Sequence, residues 1–258
     1  MAKRKVRDGI CRLCKKHTKL SFEHIPPRVA FNKNTRFYSI SQEEFIKSEN
    51  FLEYKPKGIV QQGGLGYYTL CKECNSFLGA SYVKSFAKWA NLGMSLNLKY
   101  NCDFYEITAL NQNPIRILKQ IISMFICMNE PWFTEEYPEL LDFIKNPDQK
   151  ELPAKYKIYN YLNNEGEIRN YKWAYTNTYG AVCELAFPPF GYVLNIDNPN
   201  EISHLTNITD FKNYPDSRDN NFKITLLKHP TYLPIPLDYR GKAEIENAYK
   251  EHETSRIR

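Results

Sequence analysis

The chain has 258 residues, of which 42% are hydrophobic and 25% charged, with a net charge of +6. This composition predicts a folded globular protein, and because no run of about 18 apolar residues is present, it argues against a membrane-spanning helix. The N-terminus lacks the apolar core of a secretion signal, so we expect a cytoplasmic protein that makes no use of a membrane.

Positive charge is concentrated in the first part of the sequence. Residues 1–40 contain eleven lysines and arginines against Asp8 and Glu23, so this segment carries +9 and the rest of the chain −3. A basic end on a mildly acidic body indicates a polyanionic partner that binds one face of the protein. For residues 1–8 alone, a solvated basic tail explains the charge equally well.

Four of the seven cysteines form two CxxC pairs, Cys11 with Cys14 and Cys71 with Cys74. Disulfides are disfavoured because the total is odd and no secretion signal is present. Two residues between paired cysteines let both sulfurs face one ion, so the four thiolates predict a structural, tetrahedral Zn²⁺ site. His17 could replace one sulfur, but four cysteines already complete the shell, and we expect His17 to be exposed.

The other three cysteines are isolated in apolar or aromatic surroundings. We expect them to be small buried hydrophobic residues. They are Cys102, Cys127 and Cys183.

A short strand is predicted over KLSFEHI, where apolar side chains alternate up to His24. It ends there because Pro26 and Pro27 cannot donate to a β-ladder. Residues 28–62 are irregular or weakly helical, with a capping box of Ser41 and Glu44. GGLG at 63–66 predicts a turn, after which YYTL leads into the second CxxC.

An amphipathic helix is predicted after Cys74, over NSFLGASYVKSFAKWANLGMSL. Its apolar residues recur every three or four positions, which places them on one face. Asn75 or Ser76 is positioned to cap its N-terminus.

From about residue 100 the sequence predicts two helices followed by strands. The helices are PIRILKQIISMFICMN, over 114–129, and FTEEYPELLDFIKN. YKIYNYL and IRNYKWAY flank the turn NNEGE, AVCELAF and GYVLNI flank PPF, and FKITLLK follows. These strands predict an antiparallel sheet backed by the helices. The polar C-terminal stretch KAEIENAYKEHETSRIR predicts an exposed helix.

The succession of CRLC, EHIPP, LCKECN and a helix resembles the HNH endonuclease family over about residues 8–90. The resemblance implies an α+β fold with a ββα-metal, treble-clef-like zinc module at the N-terminus. We assign that nuclease domain to residues 1–99. Residues 100–258 are then an accessory domain of helices and antiparallel sheet that recognises substrate, partner or trigger.

The same resemblance implies roles for individual residues. His24 corresponds to the general base of the family, while Glu23 and Asn75 correspond to ligands of a catalytic divalent cation. Carboxylate and amide oxygens suit Mg²⁺ or Mn²⁺, and an imidazole with an unperturbed pKa of about 6.5 suits proton transfer near neutral pH. Arg28 and Lys33 follow the prolines and are candidates for binding nucleic-acid phosphates, or are simply solvated charges.

Each assignment has a structural alternative. Glu23 and His24 could be a strand-end pair satisfied by local hydrogen bonds, and Asn75 could be a helix N-cap. The central asparagine of the family falls near Gly66 or Tyr67 here, so the group that orients the base is missing or supplied from elsewhere.

Three functions follow as hypotheses. The first is a metal-dependent DNA endonuclease acting in phage defence or in a mobile element. The second is a catalytically impaired, zinc-containing nucleic-acid-binding protein, and the third is an RNA-binding protein whose aromatic residues stack on bases. DNA is the expected partner, RNA the alternative, and self-association or a defence-system partner protein is compatible with each.

Overall fold

The structure, a computed structural model, describes residues 7–40, 44, 58–99 and 102–256, with side chains up to residue 251. The start of the basic tail lies outside the described residues. So does the weak helix predicted around 41–54, where Glu44 is described but Ser41, its partner in the capping box, is not.

Two small sheets form the N-terminal part of the fold. Strands β1, β2 and β5 make an antiparallel sheet in the order β1-β2-β5, and β3 pairs with β4 in a separate ribbon. The predicted strand is correct in its end point, because β2 stops at His24, just before the two prolines. The five strands are β1 (Arg7–Ile10), β2 (His17–His24), β3 (Phe37–Ser39), β4 (Ile59–Gln61) and β5 (Gly66–Cys71).

The predicted amphipathic helix is present and runs without a break from α1 (Lys72–Leu78) through a π-helical turn (Gly79–Val83) into α2 (Lys84–Lys99). It begins before Asn75 because the second cysteine knuckle itself turns into the helix. Cys71 is the N-cap, and its sulfur accepts a hydrogen bond from the backbone amide of Cys74. The predicted caps at Asn75 or Ser76 are therefore wrong.

Helices α3 (Pro114–Met128), α4 (Phe133–Glu136), α5 (Pro138–Lys145) and α6 (Lys242–Arg256) follow later in the chain. Helix α3 is apolar on nearly every side and is buried along its length. The second predicted helix is split between α4 and α5, because the ring of Pro138 disfavours helical geometry at Tyr137.

The C-terminal half is built on a five-stranded antiparallel sheet in the order β11-β7-β10-β9-β8. The hairpin predicted around PPF is correct and consists of β9 and β10. The hairpin predicted around NNEGE is wrong, because β7 pairs with β10 and β11 while β8 lies at the far edge beside β9. The strands are β7 (Tyr156–Leu162), β8 (Arg169–Thr176), β9 (Gly180–Phe187), β10 (Phe190–Ile196) and β11 (Thr206–Asn207).

The NNEGE segment bonds to a distant part of the chain instead of closing a hairpin. The amide of Glu167 donates to the carbonyl of Thr231 at 2.8 Å, and the amide of Thr231 donates to the carbonyl of Glu165 at 3.0 Å. Because this segment bonds to Thr231, β8 does not pair with β7, and β10 takes the position beside β7.

Two further strands form a separate ribbon. The predicted strand FKITLLK lies in β12 (Asn220–Leu227), but it pairs with β6 (Phe104–Gln112) and not with the large sheet. Strand β6 was not predicted, since only some of its apolar side chains are buried and the alternation is irregular.

The hydrophobic core crosses the predicted domain boundary. One cluster contains Leu13 and Trp89 from residues 1–99 and Ile121 and Phe190 from residues 100–258. The rings of Trp89 and Phe190 stack with their centroids 5.0 Å apart. The chain is thus α+β with antiparallel sheets, as predicted, and the division of function between the two segments stays a prediction.

None of the helices in the described residues has the length and apolar character needed to cross a bilayer.

Candidate metal centre and histidine site

The two CxxC pairs meet at one point in the N-terminal sheet. Cys11 and Cys14 lie in the turn between β1 and β2, while Cys71 ends β5 and Cys74 lies in the first turn of α1. Their sulfurs are all within 4.8 Å of one another, and the Sγ atoms of Cys14 and Cys71 are 3.9 Å apart. Four Zn–S bonds of about 2.3 Å in a tetrahedron place the sulfurs about 3.8 Å apart. The cluster therefore has the dimensions of a Zn²⁺ site.

The electrostatics of the cluster also fit a bound cation. Burial raises the pKa of the Cys74 thiol, and neighbouring thiols raise it further. Burial also opposes ionisation of Cys11, but backbone amides, including that of Cys71 at 3.3 Å, outweigh it and hold the Cys11 pKa at about 7. Four adjacent thiolates repel one another, so their full ionisation requires a cation such as Zn²⁺. His17 is exposed, as predicted, and lies outside the cluster.

The three isolated cysteines divide into two groups. Cys127 and Cys183 are buried, as predicted. The prediction for Cys102 is wrong, because this residue is exposed where the chain approaches β6.

Glu23 and Asn75 lie side by side where β2 meets α1. The amide of Asn75 hydrogen-bonds to the Glu23 carboxylate and donates from Nδ2 to Oγ of Ser21 at 3.0 Å. Glu23 is only 9% exposed, and this burial raises its pKa to about 7, although the bond from Asn75 opposes the shift. Among the described residues, no ion pair involves Glu23.

A buried carboxylate without a cationic partner is energetically unfavourable when ionised. A divalent cation on the Glu23 carboxylate would remove that penalty, and carboxylate oxygens are donors that Mg²⁺ and Mn²⁺ prefer. Asn75 now directs its Nδ2 to Ser21 and Phe22, so its amide has to flip to offer Oδ1 to such a cation. The binding of a catalytic cation by this pair stays a prediction.

His24 is the next residue of β2, and its ring has a defined orientation. It is 8% exposed, contacts the edge of the Phe22 ring with centroids 4.9 Å apart, and has Nε2 3.1 Å from the carbonyl oxygen of Gly63. A carbonyl can only accept, so Nε2 carries the proton, and the neutral ring has its lone pair on Nδ1. A backbone carbonyl therefore orients this histidine, while Gly66 and Tyr67, at the expected position of the asparagine, lie in β5.

Asn32 is the residue of this site that the sequence did not reveal. It is fully buried, and its Nδ2 donates to the carbonyls of Pro26 at 2.6 Å and Leu65 at 2.7 Å, while Oδ1 accepts from the amide of Leu65 at 2.8 Å. The side chain fastens the loop after His24 to the loop before β5. An asparagine between Phe31 and Lys33 in an irregular segment gives no sequence signal of burial.

Gly64 lies between Asn32 and His24. A Cβ at this position would be 2.5 Å from the backbone oxygen of Asn32 and 2.9 Å from Cδ2 of His24, and the backbone φ is +95°. Only glycine fits here without displacement, which explains one glycine of the GGLG turn.

Arg28 and Lys33 are both exposed on the loop that Asn32 anchors. Their position leaves both side chains able to reach a ligand at the protein surface, and their proposed contact with phosphates stays a prediction.

Comparison with known proteins finds no matching family model, no matching curated protein and no matching solved structure. What the site does is therefore inferred from its own geometry.

Proposed function

We propose that the chain is a metal-dependent endonuclease of the HNH type that hydrolyses DNA phosphodiester bonds. The observation that carries this proposal is the contact of Glu23 with Asn75 where β2 meets α1, with His24 as the next residue of β2 and Cys74 of the four-cysteine cluster directly before Asn75. A buried carboxylate and amide next to an oriented imidazole are the groups that hydrolysis of a phosphodiester requires.

Each residue has a chemical role in this proposal. Glu23 and Asn75 would hold Mg²⁺ or Mn²⁺, and such a cation supplies positive charge to the phosphate oxygens when bound. His24 takes a proton from the attacking water at Nδ1, while the Nε2 contact with Gly63 holds the ring. The four cysteines and their Zn²⁺ fix β2 relative to α1, and so fix the distance between these groups.

A second function is supported by the burial of the same residues. Glu23 and His24 are each less than a tenth exposed, which restricts the access of a phosphodiester to both. A catalytically impaired, zinc-containing protein that binds nucleic acid through its basic surface is consistent with this burial. A role in phage defence or in a mobile element follows only from the resemblance. RNA in place of DNA rests on the basic segment and the aromatic residues, and self-association stays a prediction.

A cleavage assay separates the two functions. The purified full chain is incubated with supercoiled plasmid and with single-stranded circular DNA, in EDTA and after addition of Mg²⁺ or Mn²⁺, with zinc content measured in parallel. The nuclease cuts only with added metal, His24→Ala abolishes cutting with zinc retained, and His17→Ala, at an exposed histidine, keeps full activity.

Two results would argue against the nuclease. Full activity of His24→Ala would remove the proposed base from the mechanism. Binding of DNA that weakens steeply with salt, without cutting in any metal, would establish the binding protein instead.

A further inference from the structure

The loop that follows His24 exposes apolar and basic side chains together. Val29 is 60% exposed and Phe31 is 39% exposed, and Arg28, Lys33 and Arg36 are exposed beside them. The sequence contains no acidic residue from 24 to 42, so this surface carries only positive charge within the loop. We name residues 28–36 the basic-aromatic loop.

The basic-aromatic loop is held rigidly by buried residues that alternate with the exposed ones. Ala30 and Asn32 are both buried, and Asn32 makes its three hydrogen bonds to Pro26 and Leu65. Phe31 has a backbone φ of +66°, a conformation that bulky residues rarely adopt. The surrounding hydrogen bonds therefore keep an aromatic ring at the surface in a strained backbone, which is typical of functional positions.

The loop lies directly beside the imidazole. Gly64 lies between Asn32 and His24, since a Cβ there would be 2.5 Å from the backbone oxygen of Asn32 and 2.9 Å from Cδ2 of His24, and its amide donates to the carbonyl of Thr35 at 3.1 Å. The loop leads into the ribbon of β3 and β4, where Tyr38 and Val60 are paired and both exposed.

We propose that the basic-aromatic loop binds an unpaired DNA strand next to His24, with a base stacked on Phe31 and phosphates paired with Arg28, Lys33 and Arg36. An exposed ring stacks on any unpaired base, whereas the bases of a duplex already stack on each other. Adjacent cations neutralise the backbone on either side of the stacked base. This inference rests on the proposed function, since it assigns a single-stranded substrate to that site.

Binding is measured separately from cleavage, by fluorescence anisotropy of labelled single-stranded and duplex oligonucleotides with the His24→Ala protein. Adding Phe31→Ala is expected to weaken single-strand binding about tenfold or more, and Phe31→Leu to do nearly the same. Phe31→Tyr keeps the ring and should keep the affinity. Phe104→Ala removes an exposed phenylalanine from β6 and should have no effect.

Lys33→Ala is expected to lower the salt slope of single-strand binding by about 0.7, and Lys223→Ala, an exposed lysine of β12, to leave it unchanged. Zinc content and melting of each variant confirm that it is folded. Unchanged affinity of Phe31→Ala, or equal weakening of single-strand and duplex binding, would overturn the proposal even where the parent protein cuts DNA. If single-strand binding depends on Phe31 but the parent protein cuts no DNA, DNA binding by the loop is upheld and the nuclease is rejected.

Discussion

Asn32 and Leu65 are joined by a reciprocal pair of hydrogen bonds, in which Oδ1 of Asn32 accepts from the Leu65 amide at 2.8 Å and Nδ2 donates to the Leu65 carbonyl at 2.7 Å. One side chain thus satisfies both backbone groups of a residue in another loop, as a neighbouring strand would. The consequence is that the orientation of His24 depends on a residue far from the metal cluster in sequence.

Replacing Asn32 with aspartate tests this dependence. The carboxylate has nearly the same shape but would place an oxygen against the carbonyls of Pro26 and Leu65, where Nδ2 now donates. A buried charged group that loses two such bonds costs about 1–3 kcal/mol or more. Urea unfolding is expected to show this loss, and DNA cleavage to fall while zinc is retained. Asn177→Asp, at an exposed position in the turn between β8 and β9, is the control and should change neither quantity.

Gly63 and Gly64 form a matched pair for testing the contact with His24. Both have a φ near +95°, but a Cβ on Gly63 would meet nothing within 4 Å, whereas one on Gly64 would meet the Asn32 backbone and the imidazole. Gly63→Ala should therefore cost only the backbone strain, about 1–3 kcal/mol. Gly64→Ala should cost more and should also reduce cleavage sharply. Equal stability and activity of the two variants would mean that close packing of Gly64 against His24 does not determine the orientation of the imidazole.

The four-cysteine cluster predicts a specific dependence on single thiols. Cys74→Ser removes one of four ligands, so the purified variant is expected to contain far less than one zinc per chain and to melt at a lower temperature, since structural zinc contributes directly to folding. Cys102→Ser changes an exposed cysteine away from the cluster and should leave both measurements unchanged. Elemental analysis together with thermal melting checks both statements.

The zinc site and the strand that leads to His24 could be read from the sequence because their signals are local. Two CxxC spacings define a metal site on their own, and two prolines end a strand whatever the rest of the chain does. The pairing of Glu23 with Asn75 was implied by the resemblance alone, and the structure places the two side chains together where the second knuckle leads into α1.

Features that depend on distant partners were missed. The strands around NNEGE have good hairpin patterns, yet the segment bonds to Thr231, which no local pattern indicates. Asn32 is buried because Leu65 satisfies it, and Cys102 is exposed because the chain there runs along the surface. Each of these errors concerns the pairing or the burial of a residue, and both are decided by tertiary packing with distant parts of the chain.

The buried pair of Arg169 and Glu184 predicts a large effect on stability. Their side chains are 1% and 0% exposed, and Glu184 also accepts from the hydroxyl of Tyr161 at 2.6 Å. Glu184→Gln leaves a buried guanidinium without its counter-charge, so unfolding free energy should fall by about 3–5 kcal/mol. Lys172→Gln, which loses an exposed pair with Glu130, should cost no more than about 1 kcal/mol. Urea denaturation of both variants gives the comparison, and equal losses would contradict it.

Two partly buried histidines are expected to make the stability of the chain depend on pH. Their rings lie 5.8 Å apart between centroids, His229 places Nε2 2.7 Å from the carbonyl of His204, and both pack against Tyr239. Burial lowers the pKa of both side chains below their ordinary value. The unfolded chain therefore binds more protons than the folded one as pH falls through about 6.5, and stability decreases in that direction.

His229→Gln isolates the contribution of His229 to the pH dependence of the unfolding free energy. Glutamine can still donate to the His204 carbonyl but does not titrate, so the fall in unfolding free energy between pH 7 and pH 5 should be smaller than in the parent. Because protonation of the zinc thiolates also contributes in acid, the informative quantity is the difference between the two slopes, measured by urea unfolding at matched pH. His17→Gln, at an exposed position, should retain the slope of the parent. A slope in His229→Gln equal to that of the parent would show that His229 has the same pKa in the folded and unfolded chain, contrary to the shift that its burial predicts.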